Sequence, residues 1–158
     1  MTPAIKLLIK QRIKHQVHRY SHDPRSASYG LEAAEKLALP VERVFKTLVA
    51  CTERGELLVA VLPVHGQLNL KALAVSAGVK KVHLADPQQA QRVTGYLVGG
   101  ISALAQKKSL RTFTDQSAQQ LPTLFISAGQ RGLEVELKAT DLLKLTAGHY
   151  ADLVRFNG

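Results

Sequence analysis

Residues 57–62 constrain the fold more than any other segment, because all six positions in this stretch are apolar. A strand with two apolar faces must be covered on both sides, so this segment is predicted to be a central strand between two layers. The preceding apolar segment, residues 45–51, is joined to it by the polar loop 53–56, which is typical of a hairpin. We therefore expect a layered domain with this hairpin at its centre.

Further helices and strands are predicted on both sides of the hairpin. Thr2, Asn69 and Asp86 are predicted helix N-caps. The predicted helices cover residues 3–11, 31–37, 70–77, 87–94 and 141–146, and the predicted strands cover 15–20, 45–51, 57–62, 81–84, 111–114, 123–127 and 133–137. Because helices interleave with strands and hairpins, the predicted fold class is mixed α/β rather than a repeated βαβ unit. A length of 158 residues predicts one domain covering residues 1–158.

Net charge is the first indication of function. The chain carries 21 lysines and arginines against 12 aspartates and glutamates, a formal charge of +9. A basic folded domain is typical of proteins that bind a polyanion, because cationic side chains release counterions from phosphates. A well-solvated surface without such a partner is an equally weighted interpretation.

Cysteine usage and hydropathy indicate the compartment. Cys51 is the single cysteine, which excludes an internal disulfide and fits a reducing environment. Every uninterrupted apolar run is far shorter than the ~20 residues that a membrane span needs. Lys6 and Lys10 interrupt the apolar residues near the start, unlike the apolar core of a signal peptide. We therefore expect a cytoplasmic protein without membrane attachment.

Several familiar catalytic motifs are missing from the sequence. It contains no G-x-G-x-x-G after a strand, no G-x-x-x-x-G-K-[ST] and no G-x-S-x-G. Nucleotide-phosphate transfer and hydrolase-triad chemistry are therefore disfavoured. His15, His18 and His22 are closely spaced, but no cysteine pair accompanies them, and His15 and His18 point to opposite faces of a strand. We expect no metal and no cofactor.

A few positions invite a functional interpretation. Lys46 lies at the start of an apolar strand, where its ammonium either reaches water along its stem or faces a cleft as a cation that binds a phosphate or polarises a carbonyl. The glycine pair Gly99 and Gly100 either makes a tight bend, which the residues alone favour, or turns its amides toward an anion. Cys51 is better explained as a small buried side chain than as a nucleophile. Glu134, in an alternating strand, is expected on a solvent-exposed sheet face.

A set of segments spread over the whole chain resembles the YbaK/EbsC family. The most specific are the F-K-T-L strand that begins at Phe45 and the T-G-Y-L-V-G-G-I-S stretch that begins at Thr94. The segments occur in the family's order and at its spacing, and they cover residues 20, 22–24, 29–34, 45–48, 94–102, 106–108 and 127–133.

The resemblance implies a compact α/β domain with a mixed, barrel-like sheet flanked by helices. It also implies a trans-editing deacylase that removes cysteine from Cys-tRNA(Pro) and Cys-tRNA(Cys), similar to the editing domain of bacterial prolyl-tRNA synthetases. The implied partners are these aminoacyl-tRNAs and a prolyl-tRNA synthetase in a ternary complex. In this family the cysteine thiol of the substrate attacks its own ester. The alternatives are a deacylase of another aminoacyl-tRNA, such as Ala-tRNA(Pro), and a non-catalytic tRNA- or synthetase-binding module.

The family's functional positions map onto individual residues of this chain. The resemblance implies catalytic roles for Lys46, Gly99 and Gly100, with the glycine amides stabilising the developing oxyanion. It implies that the following residues bind the substrate: Tyr20, Tyr29, Ile101, Ser127 and Glu134. The chain departs from the family pattern where Ala103 replaces a proline and Ala105 replaces a glycine. Without the proline the loop loses a restriction on φ, which puts its pre-organisation in question.

Overall fold

The computed structural model describes residues 1–26 and 28–156. Within this part of the chain the helices are α1 (Pro3–Lys10), α2 (Tyr29–Lys36), α3 (Leu70–Ala77), α4 (Pro87–Thr94) and α5 (Ala139–Thr146), with 3-10 helices at Val41–Arg43 and Gln116–Gln120. The strands are β1 (Gln16–Arg19), β2 (Phe45–Thr52), β3 (Leu57–Pro63), β4 (Gln67–Leu68), β5 (Val82–Leu84), β6 (Arg111–Asp115), β7 (Leu124–Gln130), β8 (Leu133–Leu137), β9 (His149–Ala151) and β10 (Val154–Arg155).

The hairpin of β2 and β3 lies at the centre of a five-stranded sheet with the order β5-β2-β3-β6-β9. β3 pairs antiparallel with β2 and parallel with β6. Val59 and Val61 belong to one hydrophobic cluster, whereas Leu58, Ala60 and Leu62 belong to another on the opposite face. The prediction of a central strand covered on both sides is therefore confirmed.

A second, antiparallel sheet has the order β1-β8-β7, and β4 pairs with β10 in a third. The expected barrel-like sheet is wrong for the described residues, because strand pairing between the two larger sheets is limited to an isolated bridge between Val44 and Phe125, although their facing side chains share one hydrophobic cluster. Beyond this bridge the strands separate, and Lys46 of β2 and Ser127 of β7 line the same cleft. The mixed α/β class itself is confirmed.

The helix starts follow the predicted capping chemistry. The side chains of Thr2, Asn69 and Asp86 accept hydrogen bonds from the amides of Ile5, Ala72 and Gln88. α2 begins two residues earlier than predicted, which places Tyr29 at the first position of that helix. Strands β4, β9 and β10 were not predicted, because two or three residues show no periodicity. None of the helices in the described part of the chain combines the length and apolar character needed to cross a bilayer.

Candidate functional site

A cleft of about 400 Å³ lies between β2, the first residues of α2, the loop after α4 and the β7–β8 pair. It brings together residues that are far apart in the sequence. Seven of the eight predicted site residues line it: Tyr20, Tyr29, Lys46, Gly99, Ile101, Ser127 and Glu134. The eighth, Gly100, is buried in the same loop as Gly99 without lining the cleft.

Lys46 is partly buried in the wall of the cleft. Burial lowers the pKa of its ammonium group. Within residues 1–26 and 28–156, its Nζ atom makes no salt bridge to a carboxylate. A partly desolvated cation without a protein anion gains most from an anionic ligand, so its position fits the anion-binding interpretation.

The neighbouring residue Thr47 presents main-chain groups to the cleft. The Ala85 amide donates to the Val49 carbonyl at 2.9 Å on the edge of β2 that faces β5. Main-chain groups alternate between the two edges of an antiparallel strand, so the N–H and C=O of Thr47 point toward the same edge. The register between the strands ends at Ala50 opposite Leu84, so β5 does not extend as far as Thr47. This open strand edge adds a donor and an acceptor to the polar groups of the cleft.

The loop after α4 makes a tight turn, which we call the glycine turn (residues 97–100). The Gly100 amide donates to the Leu97 carbonyl at 2.9 Å, and Gly99 has φ +92, as the third residue of a type II turn requires. The Gly100 amide is therefore not free to bind an oxyanion, which corrects that part of the expectation. In the described part of the chain, the amides of Gly99 and Ile101 donate to no protein acceptor.

Ser127 ties the second sheet to the glycine turn. Its Oγ donates to the Gly100 carbonyl at 3.0 Å and accepts from the Gly129 amide at 3.1 Å. The first hydrogen bond holds the turn against β7, and the second, within β7, orients the hydroxyl. The Ser127 hydroxyl is therefore engaged in positioning the turn, and Ser127 reaches the cleft as part of its wall.

Glu134 is the buried acid of the cleft. It is the cross-strand partner of Ser127 and is only 6% exposed, so the expectation of a solvent-exposed sheet face is wrong for this residue. The reason is that β8 is the middle strand of its sheet and this part of its face is covered by the cleft walls. Burial raises the pKa of Glu134 to about 8, so the carboxyl group is neutral at pH 7. Burial, followed by the charge of Glu134, raises the pKa of Tyr20.

Comparison with known proteins gives this cleft a context. The sequence profile described as the aminoacyl-tRNA editing domain matches residues 24–145, more than half of the chain. A protein of Enterococcus faecalis (strain ATCC 700802 / V583) is 34% identical over 154 residues, which cover 96% of this chain and 92% of the relative. That protein, EbsC, is provisionally named a Cys-tRNA(Pro)/Cys-tRNA(Cys) deacylase.

The chain belongs to the aminoacyl-tRNA editing domain family.

Solved structures show the same editing-domain fold. The hypothetical protein APE2540 superposes with a TM-score of 0.87 at 21% identity, covering 98% of this chain and all of that one. A protein provisionally described as a trans-editing enzyme for prolyl-tRNA synthetase superposes with a TM-score of 0.80 at 21% identity, covering 98% of each chain. At these identities the likeness establishes the fold alone.

Other residues with possible chemistry lie apart from the lining of the editing-domain cleft. The Nδ1 atom of His22 bonds Glu32 at 2.7 Å, and the Nε2 atom of His18 bonds Glu136 at 3.1 Å. Cys51 lies on β2 opposite His83, at the end of the strand that pairs with β5. None of these six side chains lines the cleft.

Sequence reasoning missed two features of this editing domain. One is the guanidinium of Arg131, which contacts the glycine turn from the β7–β8 turn, 33 residues away in sequence. The other is the backbone of Ala105, which has φ +55, the left-handed region that favours glycine. The substitution of alanine for the family's glycine was visible in the sequence, whereas the strain that accompanies it required the backbone angle.

Replacing Ala105 with glycine is expected to raise the free energy of unfolding by about 0.5 to 1 kcal/mol. The left-handed conformation costs an L-residue about 1–2 kcal/mol, and the greater entropy of glycine in the unfolded chain offsets part of the gain. Urea unfolding measures the change. The control is Ala103→Gly, since Ala103 is buried without a positive φ and is expected to lose stability. Destabilisation by Ala105→Gly would contradict the prediction.

Proposed function

We propose that this chain is a trans-editing deacylase that removes cysteine from Cys-tRNA(Pro) and from Cys-tRNA(Cys). Family membership and the name of the Enterococcus faecalis relative support an aminoacyl-tRNA ester as substrate. The observation that carries the proposal is a cleft with a cation and free main-chain donors but no nucleophile paired with a base. Among the described residues that line it there is no histidine or cysteine, and the Ser127 hydroxyl is already hydrogen-bonded. This lining supports a reaction in which the substrate supplies the nucleophile, as the family resemblance implies.

The substrate's own thiol supplies the attack. Its sulfur forms a bond to the carbonyl carbon of the aminoacyl ester, and the bond from that carbon to the terminal ribose oxygen breaks. The thiol proton passes to the ribose oxygen, which leaves as the free hydroxyl of the tRNA. The product is a strained four-membered thiolactone, which water opens to cysteine.

The cleft residues act on this step by positioning and electrostatics. The amides of Gly99 and Ile101 donate to the oxyanion that develops on the ester carbonyl, as preorganised main-chain donors do in other acyl-transfer sites. Lys46 binds the phosphate of the terminal adenosine and thereby places the ester over those amides. Tyr20, Tyr29, Ser127 and Glu134 orient the aminoacyl group. Glu134, neutral at pH 7, can both donate and accept a hydrogen bond to that group.

Editing at a second site is needed because cysteine and proline are similar in size. A difference of about one methylene group gives a binding site only ~10–200-fold discrimination, so a synthetase for proline needs a second site to remove cysteine. A ternary complex with tRNA and prolyl-tRNA synthetase would present the mischarged ester before release. The charge of +9 favours capture of tRNA phosphates, and a tRNA substrate supports a cytoplasmic location.

A panel of charged tRNAs tests the proposal. The protein is incubated with Cys-tRNA(Pro), Cys-tRNA(Cys) and Ala-tRNA(Pro), and the remaining ester is measured beside the Lys46→Ala protein. We expect loss of both cysteinyl esters with the wild-type protein alone. Loss restricted to Ala-tRNA(Pro) would indicate a different deacylase. Retention of all three esters, with tRNA bound on a filter, would indicate a binding module instead.

A further inference from the structure

The guanidinium of Arg131 joins two walls of the cleft without lining it. Its Nη2 and Nε atoms donate to the Val98 carbonyl of the glycine turn at 2.7 and 3.2 Å. Its Cζ atom lies 4.3 Å from the ring centroid of Tyr29, the first residue of α2. One planar side chain therefore holds the glycine turn and the aromatic wall at a set separation, through a forked hydrogen bond and a cation–π contact.

The glycine turn, Arg131 and Tyr29 are tightly packed around Gly99. A Cβ atom built on Gly99 would lie 2.4 Å from Nε of Arg131 and 2.8 Å from Cε2 of Tyr29. A methyl group at this position would therefore force the Arg131 or the Tyr29 side chain to shift. The loop that continues from the glycine turn has Ala103 in place of a proline and so lacks that restriction on φ, which leaves side-chain contacts a larger part in holding the shape of the turn.

We propose that Arg131 is a positioning residue that sets the width of the cleft between Tyr29 and the glycine turn, and thereby limits the size of the aminoacyl group that is deacylated. This proposal rests on the proposed function, because the aminoacyl ester is taken as the substrate. Arg131 acts through Val98 and Tyr29. When the contact is removed, the amides of Gly99 and Ile101 move relative to the ester, and the cleft admits a longer side chain.

The closing experiment compares cysteinyl-tRNA(Pro) with homocysteinyl-tRNA(Pro). Homocysteine keeps the thiol nucleophile and adds one methylene, but it closes a five-membered thiolactone, which forms more easily than the four-membered ring from cysteine. This intrinsic difference is the same for every variant, so a change in the ratio of the two rates between wild type and variant reports the width of the cleft. The variants are Arg131→Ala and Arg131→Lys, since a lysine ammonium keeps the charge but not the planar fork that donates twice and stacks on a ring. Arg54→Ala, at an exposed position in the β2–β3 loop, is the matched control for loss of charge.

We expect Arg131→Ala to lower kcat on the cysteinyl ester by about 10- to 100-fold, because small displacements of positioned groups have effects of this size. Preference for cysteinyl over homocysteinyl ester should fall by about tenfold or more relative to wild type. Arg131→Lys should resemble Arg131→Ala, and Arg54→Ala should resemble the wild type. Arg131 is exposed, so both variants are expected to fold, which a thermal melt checks.

Three results would overturn the proposal. An equal rise in KM for both esters that disappears at high salt would mean that Arg131 only contacts a phosphate. Unchanged kcat and selectivity in folded variants would mean that the contact is structural. Full rescue by Arg131→Lys would mean that charge alone matters. A wild-type protein inactive on both esters would instead overturn the proposed function, which keeps the two failures distinct.

Discussion

Alanine at position 46 is expected to lower kcat/KM for Cys-tRNA(Pro) deacylation by about a hundred- to a thousandfold, the usual effect of removing a preorganised electrostatic contact from a catalytic site. Lys46 is a partly buried cation in the cleft, and no carboxylate of the described residues pairs with it. Its binding energy is therefore available to the terminal phosphate. Without it the ester is no longer placed over the Gly99 and Ile101 amides, so both binding and turnover decline.

Single-turnover kinetics with excess enzyme separate these two effects. Lys71→Ala is the matched control, because it removes the same charge from an exposed position on α3. The Lys46→Ala protein should unfold at the same denaturant concentration or a higher one, since removing a desolvated ammonium relieves the cost of its burial. Near-wild-type kcat/KM in folded Lys46→Ala protein would contradict a role for this cation.

The second large effect concerns stability and depends on pH. Burial raises the pKa of Glu134 from 4.5 to about 8. Between these values the unfolded chain has released a proton that the folded protein still holds, so a rise in pH favours unfolding. Relative to wild type, Glu134→Gln should therefore gain stability as the pH rises from 5 to 9. The gain over this pH range corresponds to about 4 kcal/mol, at 1.36 kcal/mol for each unit of pKa, because part of the difference already arises below pH 5.

Urea unfolding of both proteins at several pH values measures this difference. The contributions of the other titrating groups to the free energy of unfolding cancel, because the two proteins are compared at each pH. Glu136→Gln, on the same face of β8, is a control for which the expected change in stability has the opposite sign. Burial of Glu136 opposes ionisation, but hydrogen bonds from Thr123 and His18 outweigh it and lower its pKa. Wild type should exceed Glu136→Gln in stability at neutral pH. A pH-independent difference between wild type and Glu134→Gln would show that Glu134 is not a buried neutral acid.

Local features of the fold could be predicted because their causes are local. The caps at Thr2, Asn69 and Asp86 depend on one side chain and an amide two or three residues away. The central position of β3 follows from six consecutive apolar residues. Strands of two or three residues, such as the paired β4 and β10, depend on long-range contacts instead. So few residues show no alternation of apolar and polar side chains.

The candidate site was assembled from the family resemblance rather than from periodicity, because Tyr20 and Glu134 are 114 residues apart in the sequence. Burial of Glu134 depends on the cleft walls that cover β8, which the alternation of the strand does not report. The hydrogen bond from the Gly100 amide to the Leu97 carbonyl is likewise a feature of the folded turn that the glycine pair in the sequence does not predict. The resemblance therefore identified the residues, and the structure changed which of their atoms are free to act.

Substrate-assisted attack is the central claim, and one pair of substrates tests it most directly. Cysteinyl-tRNA(Pro) and 2-aminobutyryl-tRNA(Pro) differ only in a thiol against a methyl group of similar size. With wild-type protein, the cysteinyl ester should be lost rapidly while the 2-aminobutyryl ester persists at the rate seen without enzyme. Loss of both esters at comparable rates would mean that the protein activates water or supplies its own nucleophile, and would contradict the proposed mechanism.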